Sequence, residues 1–374
     1  MKLVCTKENL SRALNLVNGV VNKNPNLPIL GNILIKALNQ KVEIIATNLE
    51  IAITANLRAK IEKEGFFTVP SRTLFDLVNL LSDEKVELEL EGSELKIICG
   101  KTATKIKGSP ADEFPVVPAV SGEKGFLIDA QNLKRGLEQV VFASAKNEIR
   151  PELSGVFFNF NRDDYKGLVL AATDSYRLAE KKLALAQGQD SLKVIVPFRA
   201  AQEIIHIISV SGGSESEKNF RLLVSDNQLV ARFDDVEMVS RLVEGQYPDY
   251  TQIIPKDFLT VAEMPVAKTI KEIKAASLFT TIGINAVLFN IKSSEGIVCF
   301  SSTSTQTGEH KSEINTEIKG PDNSILLNHR YVLDGLGNID DETMMFKVIN
   351  GENPCIFAPK NNNDYLYIVM PVRQ

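Results

Sequence analysis

The sequence predicts an α+β protein made of three tandem copies of one unit, each with two helices packed on strands. Three internal matches carry this reading. ENLSRALNLV (Glu8–Val17) returns as QNLKRGLEQV (Gln131–Val140), with Asn9, Leu10, Arg12, Leu14 and Val17 all matched at an offset of 123. IIATNLEIA (Ile44–Ala52) returns as VLAATDSYRLA (Val169–Ala179), and TVPSRTLFDLVNLL (Thr68–Leu81) returns as IVPFRAAQEIIHII (Ile195–Ile208). A more diverged third copy begins at VAKTIKEIKAA (Val266–Ala276). There Val266, Ile270 and Ile273 take the places of Leu133, Leu137 and Val140.

Each unit reads in the same order. The first helix comes from apolar residues at helical spacing. A β-meander comes next, matched at Gly31 of LPILGNILI and Gly155 of PELSGVFFN. The second helix starts at Pro70 or Pro197, expected at the first helical position. In the third unit LLNHRYVLDGL (Leu326–Leu336) replaces that start, and its DGLGNID reads as a helix C-cap. Alternating strands close the unit, as in KVELELEGSELKIICG, where Val86, Leu88 and Leu90 share a face and a turn lies near Ser93. Pro- and Gly-rich PVVPAVSGEKG (Pro115–Gly125) and the stretch near Ile253–Thr260 mark boundaries, giving domains 1–121, 122–256 and 257–374.

Composition narrows function. The chain has 374 residues, 24% charged residues and net charge −5, so no all-round phosphate-gripping surface is expected, though a basic strip on one face is compatible. No secretory leader and no run of about 18 apolar residues appears, which predicts a cytoplasmic protein off the membrane. Cys5, Cys99, Cys299 and Cys355 are widely spaced and read as free buried thiols. His206, His310 and His329 have no metal-ligand spacing, and neither a phosphate loop nor a nucleophile motif is present. His206 reads as a core or half-buried histidine on an apolar helix. Asp83, Glu84, Glu87, Glu89, Glu91 and Glu94 read as a solvated acidic strand face. No cofactor, metal or catalytic constellation is expected.

The stretch ATDSYRLA (Ala172–Ala179) stands out. Thr173-Asp174 matches Thr47-Asn48 and reads as a turn whose Asp satisfies local backbone donors. Tyr176, Arg177 and Leu178 have no such match, so something particular to the second unit needs them. A hydrolase using Asp174, Ser175 and Tyr176 finds no histidine in a plausible order. Basic residues recur on helix starts: Arg72 and Arg199 come after the two prolines, and Lys268, Lys271 and Lys274 line one side of a helix whose other side is Val266, Ile270 and Ile273. These are either ordinary solvated faces or a basic lining contributed by equivalent helices.

Three tandem units, LPILGNILI, ATDSYRLA, YPDY (Tyr247–Tyr250) and the terminal YIVMPVR (Tyr367–Arg373) together resemble the bacterial DNA polymerase III beta subunits, the replicative sliding clamps. The resemblance covers essentially the whole chain. It implies the DNA clamp fold, a head-to-tail homodimer closing as a six-domain ring around duplex DNA without sequence specificity, and no catalytic activity. It implies as partners the DNA polymerase III alpha subunit, a clamp loader, other polymerases and repair proteins. These dock short Gln-Leu-x-Leu-Phe-like peptides in a hydrophobic groove. By residue-wise match the groove comprises Leu153, Thr173, Ser175, Tyr176, Arg177 and Leu178. Its extension comprises Pro248, Gln252, Ile253, Asn328, Tyr331, Val369, Met370, Pro371, Val372 and Arg373.

The resemblance also implies that Lys23, Arg72, Lys146, Arg150, Arg199, Lys268 and Lys271 face DNA. It places Lys101, Lys105 and Ile106 of one chain against Leu278, Glu309 and Glu313 of the next. Departures from the family pattern are Ser175 for a common Gly, Gln246 and Gln252 for common basic residues, Asn24 for an Arg, Pro151-Glu152 for a Tyr pair, and Gln374 for an apolar residue. A three-repeat scaffold that binds peptides without forming a ring is the alternative.

Overall fold

The computed structural model describes residues 1–21, 26–117, 124–146, 149–211, 218–281 and 283–373 of the chain. Lys23, Asn24 and Gln374 lie outside them, as does much of the expected boundary at residues 118–123. Six α-helices occur among the described residues: α1 (Lys7–Asn18), α2 (Ser71–Leu80), α3 (Ala130–Val141), α4 (Phe198–Ser211), α5 (Val266–Ser277) and α6 (His329–Leu336). They fall two to a repeat, as the internal matches require.

The chain forms two compact units. The first holds residues 1–134, 185–190 and 199–242. Its five-stranded sheet runs Ala59–Lys63, Lys2–Thr6, Lys85–Glu91, Glu94–Cys99, Thr102–Lys107. Its eight-stranded sheet runs Lys124–Asp129, Asn219–Val224, Gln228–Phe233, Val236–Arg241, Ile51–Asn56, Lys41–Thr47, Asn32–Leu38, Gly65–Pro70. The second unit holds residues 135–184, 191–198 and 243–374. Its nine-stranded sheet runs Leu192–Pro197, Gly155–Arg162, Tyr165–Thr173, Arg177–Leu183, Tyr365–Val369, Cys355–Pro359, Thr343–Val348, Thr260–Pro265, Glu317–Lys319. Its four-stranded sheet runs Gly308–Asn315, Ile297–Ser304, Ala286–Lys292, Asn323–Asn328. Neighbouring strands run antiparallel, as at Arg177–Leu183 beside Tyr365–Val369 and Val236–Arg241 beside Ile51–Asn56. The middle repeat is therefore shared, and each large sheet fuses part of it to a flanking repeat by one continuous ladder.

Alternation decides which faces are buried. In Ala286–Lys292, Val287, Phe289 and Ile291 are fully buried while the intervening residues are half-buried. Helices obey the same logic: α1 buries Leu10, Ala13, Leu14, Leu16 and Val17, and Thr6 caps it by accepting from the Asn9 amide at 3.2 Å. The acidic strand is less solvated than its composition suggests. Glu87 pairs with Lys85, Glu89 with Lys2, and Glu91 with both Lys96 and Lys105. Hydrogen bonds from Lys105 and Lys96 hold the Glu91 carboxyl down at about 2. All four cysteines are free and buried.

Two local expectations need correction. Pro70 is the N-cap of α2 and Pro197 the last residue of its strand, so both precede the helix; the missing N–H ends a ladder before it would start a turn. The buried stripe of α5 is Val266, Thr269, Ile273 and Ala276, with Ile270 only half-buried; Thr269 hides its hydroxyl by donating to the Pro265 carbonyl at 2.8 Å. DGLGNID does supply the C-cap of α6, at Gly337, in a right-handed conformation with φ −63°.

His206 is half-buried on α4 and its Nε2 donates to the Asn15 carbonyl at 3.1 Å. Nearby Glu203 aims its carboxylate at Gly19, the C-cap of α1, where the helix dipole is negative. One of its oxygens is buried without a partner. Burial raises the Glu203 pKa above the usual 4.5, with His206 opposing. The folded state thus binds this proton more tightly than the unfolded chain, and stability falls as pH rises from about 4.5 through the folded value. Glu203→Gln is expected to stabilise the protein at pH 7 by about 1 kcal/mol. It should also remove that part of the pH slope in urea titrations. An unchanged or lower midpoint at pH 7 would contradict the assignment.

Candidate functional site

The turn at ATDSYRLA is built as its repeat partner is. Asp174 Oδ1 accepts from the amides of Tyr176 at 3.0 Å and Arg177 at 3.1 Å. Thr173 Oγ1 donates to the Arg177 carbonyl at 2.6 Å and accepts from the Ser175 amide at 3.1 Å. In the first repeat Asn48 Oδ1 accepts from Glu50 at 3.0 Å and Ile51 at 2.8 Å, while Thr47 repeats both bonds of Thr173. The residue after the Asx is left-handed in both copies, with φ 77° at Ser175 and 76° at Leu49. That conformation suits glycine, which explains a Gly preference at the Ser175 position. Ser175→Gly is accordingly expected to stabilise the fold by about 1 kcal/mol, read from urea midpoints. A loss of stability would mean the serine hydroxyl matters more than its backbone.

Beyond the turn the second repeat departs from the first. Arg177 is 6% exposed and fully engaged. Its Nε donates to Asp174 at 3.0 Å, Nη1 to Asp334 at 2.6 Å and Nη2 to the Phe142 carbonyl at 2.9 Å. Its guanidinium lies between two rings, 4.7 Å from the Tyr331 centroid and 5.5 Å from that of Phe142. Tyr331 in turn stacks with Tyr176 at 6.4 Å and 22°. Burial works against the charge of Arg177, but Tyr367, Asp334 and Asp174 outweigh it and hold its pKa above the ordinary value. The stack ends at solvent in Tyr176, which is 63% exposed.

The terminal segment completes the site. After the strand Tyr365–Val369, the Met370 amide donates to the Tyr176 carbonyl at 2.9 Å and the Val372 amide to the Leu326 carbonyl at 2.8 Å. Asn328 caps α6 by accepting from the Arg330 amide at 3.0 Å, and Tyr367 Oη donates to the Tyr331 carbonyl at 2.8 Å. Beneath lies a buried apolar cluster including Leu153, Phe157, Leu178, Tyr247, Tyr250, Ile356 and Ile368. Phe157 stacks on Tyr247 at 4.7 Å, and Tyr250 Oη donates to the buried Glu180 carboxylate at 2.5 Å. The arrangement can bind an apolar chain but holds no nucleophile–base pair. Among the described residues no group of three metal-ligating side chains is found.

Known proteins resemble this one along the whole chain. The family models for the DNA polymerase III beta subunit match in series: the N-terminal domain at residues 1–118, the central domain at 127–249 and the C-terminal domain at 251–373. The chain belongs to this family. The beta sliding clamp of Synechocystis sp. is 30% identical over 394 residues, spanning 100% of this chain and 99% of the relative. The crystal structure of the Thermotoga maritima beta subunit superposes with a TM-score of 0.92 at 29% identity, covering 100% of this chain and 99% of that one. The Bacillus subtilis sliding clamp gives 0.92 at 26% identity, with the same coverage. The function is that of a sliding clamp, a processivity factor and not an enzyme.

For the clamp, the groove residues expected from sequence divide into three classes. Leu153, Thr173, Arg177, Leu178 and Val369 are each at most 6% exposed, so they lie below the surface. Ser175, Tyr176, Gln252, Ile253 and Arg373 are exposed, and Pro248, Asn328, Tyr331, Met370, Pro371 and Val372 are half-buried. Gln252 donates to Asp249 at 2.9 Å and is turned back on its own loop. Sequence reasoning missed Phe142 and Asp334, which hold Arg177 from 35 and 157 residues away. No local motif announces either.

The charged residues also sort. Arg72, Lys146, Arg199, Lys268 and Lys271 are exposed. Arg72 pairs only loosely with Asp76, at 3.7 Å. Arg150 is exposed as well; it pairs with Glu152 at 3.0 Å and donates to Ser175 Oγ at 3.4 Å. Ile106 is a correction. It is 5% exposed because alternation on Thr102–Lys107 turns it inward, so it offers no surface to a neighbour. Lys105 is engaged by Glu91 at 2.7 Å, whereas Leu278 is 72% exposed and Lys101, Glu309 and Glu313 are exposed. No helix among the described residues is long and apolar enough to cross a membrane.

Proposed function

We propose that this chain acts in the cytoplasm as a head-to-tail homodimer closing a six-domain ring around duplex DNA, and that partner peptides dock at the Tyr176 site. The observation that carries the docking assignment is the terminal segment pinned between the Tyr176 and Leu326 carbonyls, beside an exposed aromatic stack and above the Leu153–Leu178 cluster. An apolar floor, a few polar anchors and the unbranched side chain of Met370 suit several partners that share leucines and an aromatic. Polymerase alpha subunits, clamp loaders, other polymerases and repair proteins are the proposed occupants. Domains divide near 121/122 and 256/257; the family matches bracket the first boundary, between residues 118 and 127, and break a few residues before the second, between 249 and 251.

Ring closure draws support from two sheet ends. Thr102–Lys107 is the last strand of the five-stranded sheet and Gly308–Asn315 that of the four-stranded sheet, so each presents one unpaired edge. Lys101 and Lys107 at one edge complement Glu309 and Glu313 at the other, with Leu278 adding apolar surface. Such a contact is heterologous and closes when its rotation permits. Arg72, Lys146, Arg199, Lys268 and Lys271 then face DNA with a weak, salt-sensitive attraction suited to sliding, while topology supplies residence time. The exposed Arg150 belongs to the same DNA-facing set, and the buried Ile106 is left out of the interface.

The test is deletion of Met370–Gln374. It should abolish binding of a fluorescent Gln-Leu-x-Leu-Phe peptide while leaving a dimer mass in solution. Retained peptide binding would overturn the groove, and a monomer of the intact chain at micromolar concentration would overturn the ring.

A further inference from the structure

We propose that the outer face of the four-stranded sheet is a second, contiguous docking trough. It takes an aliphatic stretch flanking the peptide motif of a partner already seated at the Tyr176 site; this rests on the groove assignment above. Strand alternation sends Val287, Phe289 and Ile291 inward, so Leu288 lies on the outer face. Leu288 sits directly opposite Leu326 on one neighbouring strand and Ser301 on the other. A sheet face turned to water normally carries polar residues, and here two paired leucines occupy its centre, each only half-buried.

Around them lies a cavity of about 790 Å³, lined by Leu288, Leu326, Ser324, Asn353 and Val372 among others. A second of about 310 Å³ shares Leu288 and Leu326 and reaches Thr281 and Ile284. Ile284 is 54% exposed. The floor is thus aliphatic and its rim carries hydroxyls, an amide and the charged Glu352 and Arg373, so an apolar side chain can sit on the floor while the rim serves the polar backbone of an extended segment.

Continuity selects the occupant. Val372 lines the cavity and is tied to the Leu326 carbonyl, so the trough begins where the groove ends. A chain leaving the groove along the terminal segment reaches Leu288 next. The second contact is then intramolecular and adds affinity without a separate encounter.

The experiment uses three fluorescein-labelled probes on the intact protein: Gln-Leu-Ser-Leu-Phe alone, and the same motif extended by six leucine-containing residues at either end. One extension should bind about tenfold tighter than the bare motif, as expected for burying one aliphatic side chain. Leu288→Lys and, independently, Ser324→Arg should remove that gain and leave the bare motif's affinity unchanged. Equal affinity of all three probes, or a gain that survives both substitutions, would overturn the trough. Failure of the bare motif to bind, with an extended probe still sensitive to Leu288→Lys, would instead sink the groove and keep the trough. If no probe binds, both fall.

Discussion

Arg177→Ala is expected to lower the stability of the fold by about 3–5 kcal/mol and to abolish peptide docking, because it breaks a buried ion pair and leaves its partners behind. Asp174 would keep its two backbone bonds but lose its cation, and the Phe142 carbonyl would lose its donor. Asp334 is half exposed and can turn to water, which places the cost at the lower end of that range. Arg177→Lys should rescue little. An ammonium cannot reach a carboxylate on each side and a carbonyl in one plane, nor stack between Phe142 and Tyr331. Urea unfolding followed by tyrosine fluorescence, together with peptide anisotropy, reads both effects. A loss under about 1 kcal/mol with unaltered docking would show that the guanidinium does not hold the site together.

This staple marks the limit of what local sequence conveys. The turn around Asp174 was legible because its bonds span at most four residues and the pattern Thr-Asx recurs at Thr47-Asn48. The helices were legible because their apolar spacing recurs from repeat to repeat. The partners of Arg177 were not, since Phe142, Tyr331 and Asp334 meet it only after the nine-stranded sheet brings Arg177–Leu183 beside Tyr365–Val369. The contacts of Arg150 were hidden for a related reason. A loop arginine looks free in sequence, and only the fold sets Ser175 and Glu152 beside it. Ile106 could have been placed correctly. In Thr102–Lys107 it is the only large apolar residue, and period-two alternation already argues that it faces inward.

The site also depends on a glycine remote from any ligand. Gly335 lies inside α6, and a Cβ there would sit 2.1 Å from both Cδ1 and Cε1 of Tyr367. Neither side can yield: Gly335 is held by the helix ladder, and the fully buried Tyr367 is fixed by its hydrogen bond to the Tyr331 carbonyl. Gly335→Ala should therefore cost about 3 kcal/mol, the upper end for overpacking. It should also impair docking although Gly335 touches no peptide, since relief of the clash pushes α6 outward. Tyr331 then leaves Tyr176 and Arg177, and Asn328 moves with the helix start that it caps. A second change separates this cause from a general loss of helix quality. Tyr367→Leu removes the clashing ring, so the double variant should be less destabilised than the sum of the two single variants, whereas independent effects would add. Additivity would mean that Gly335 serves α6 alone; a positive coupling would show that the close approach of α6 to the strand Tyr365–Val369 is what sets Tyr331 at the right height for the stack.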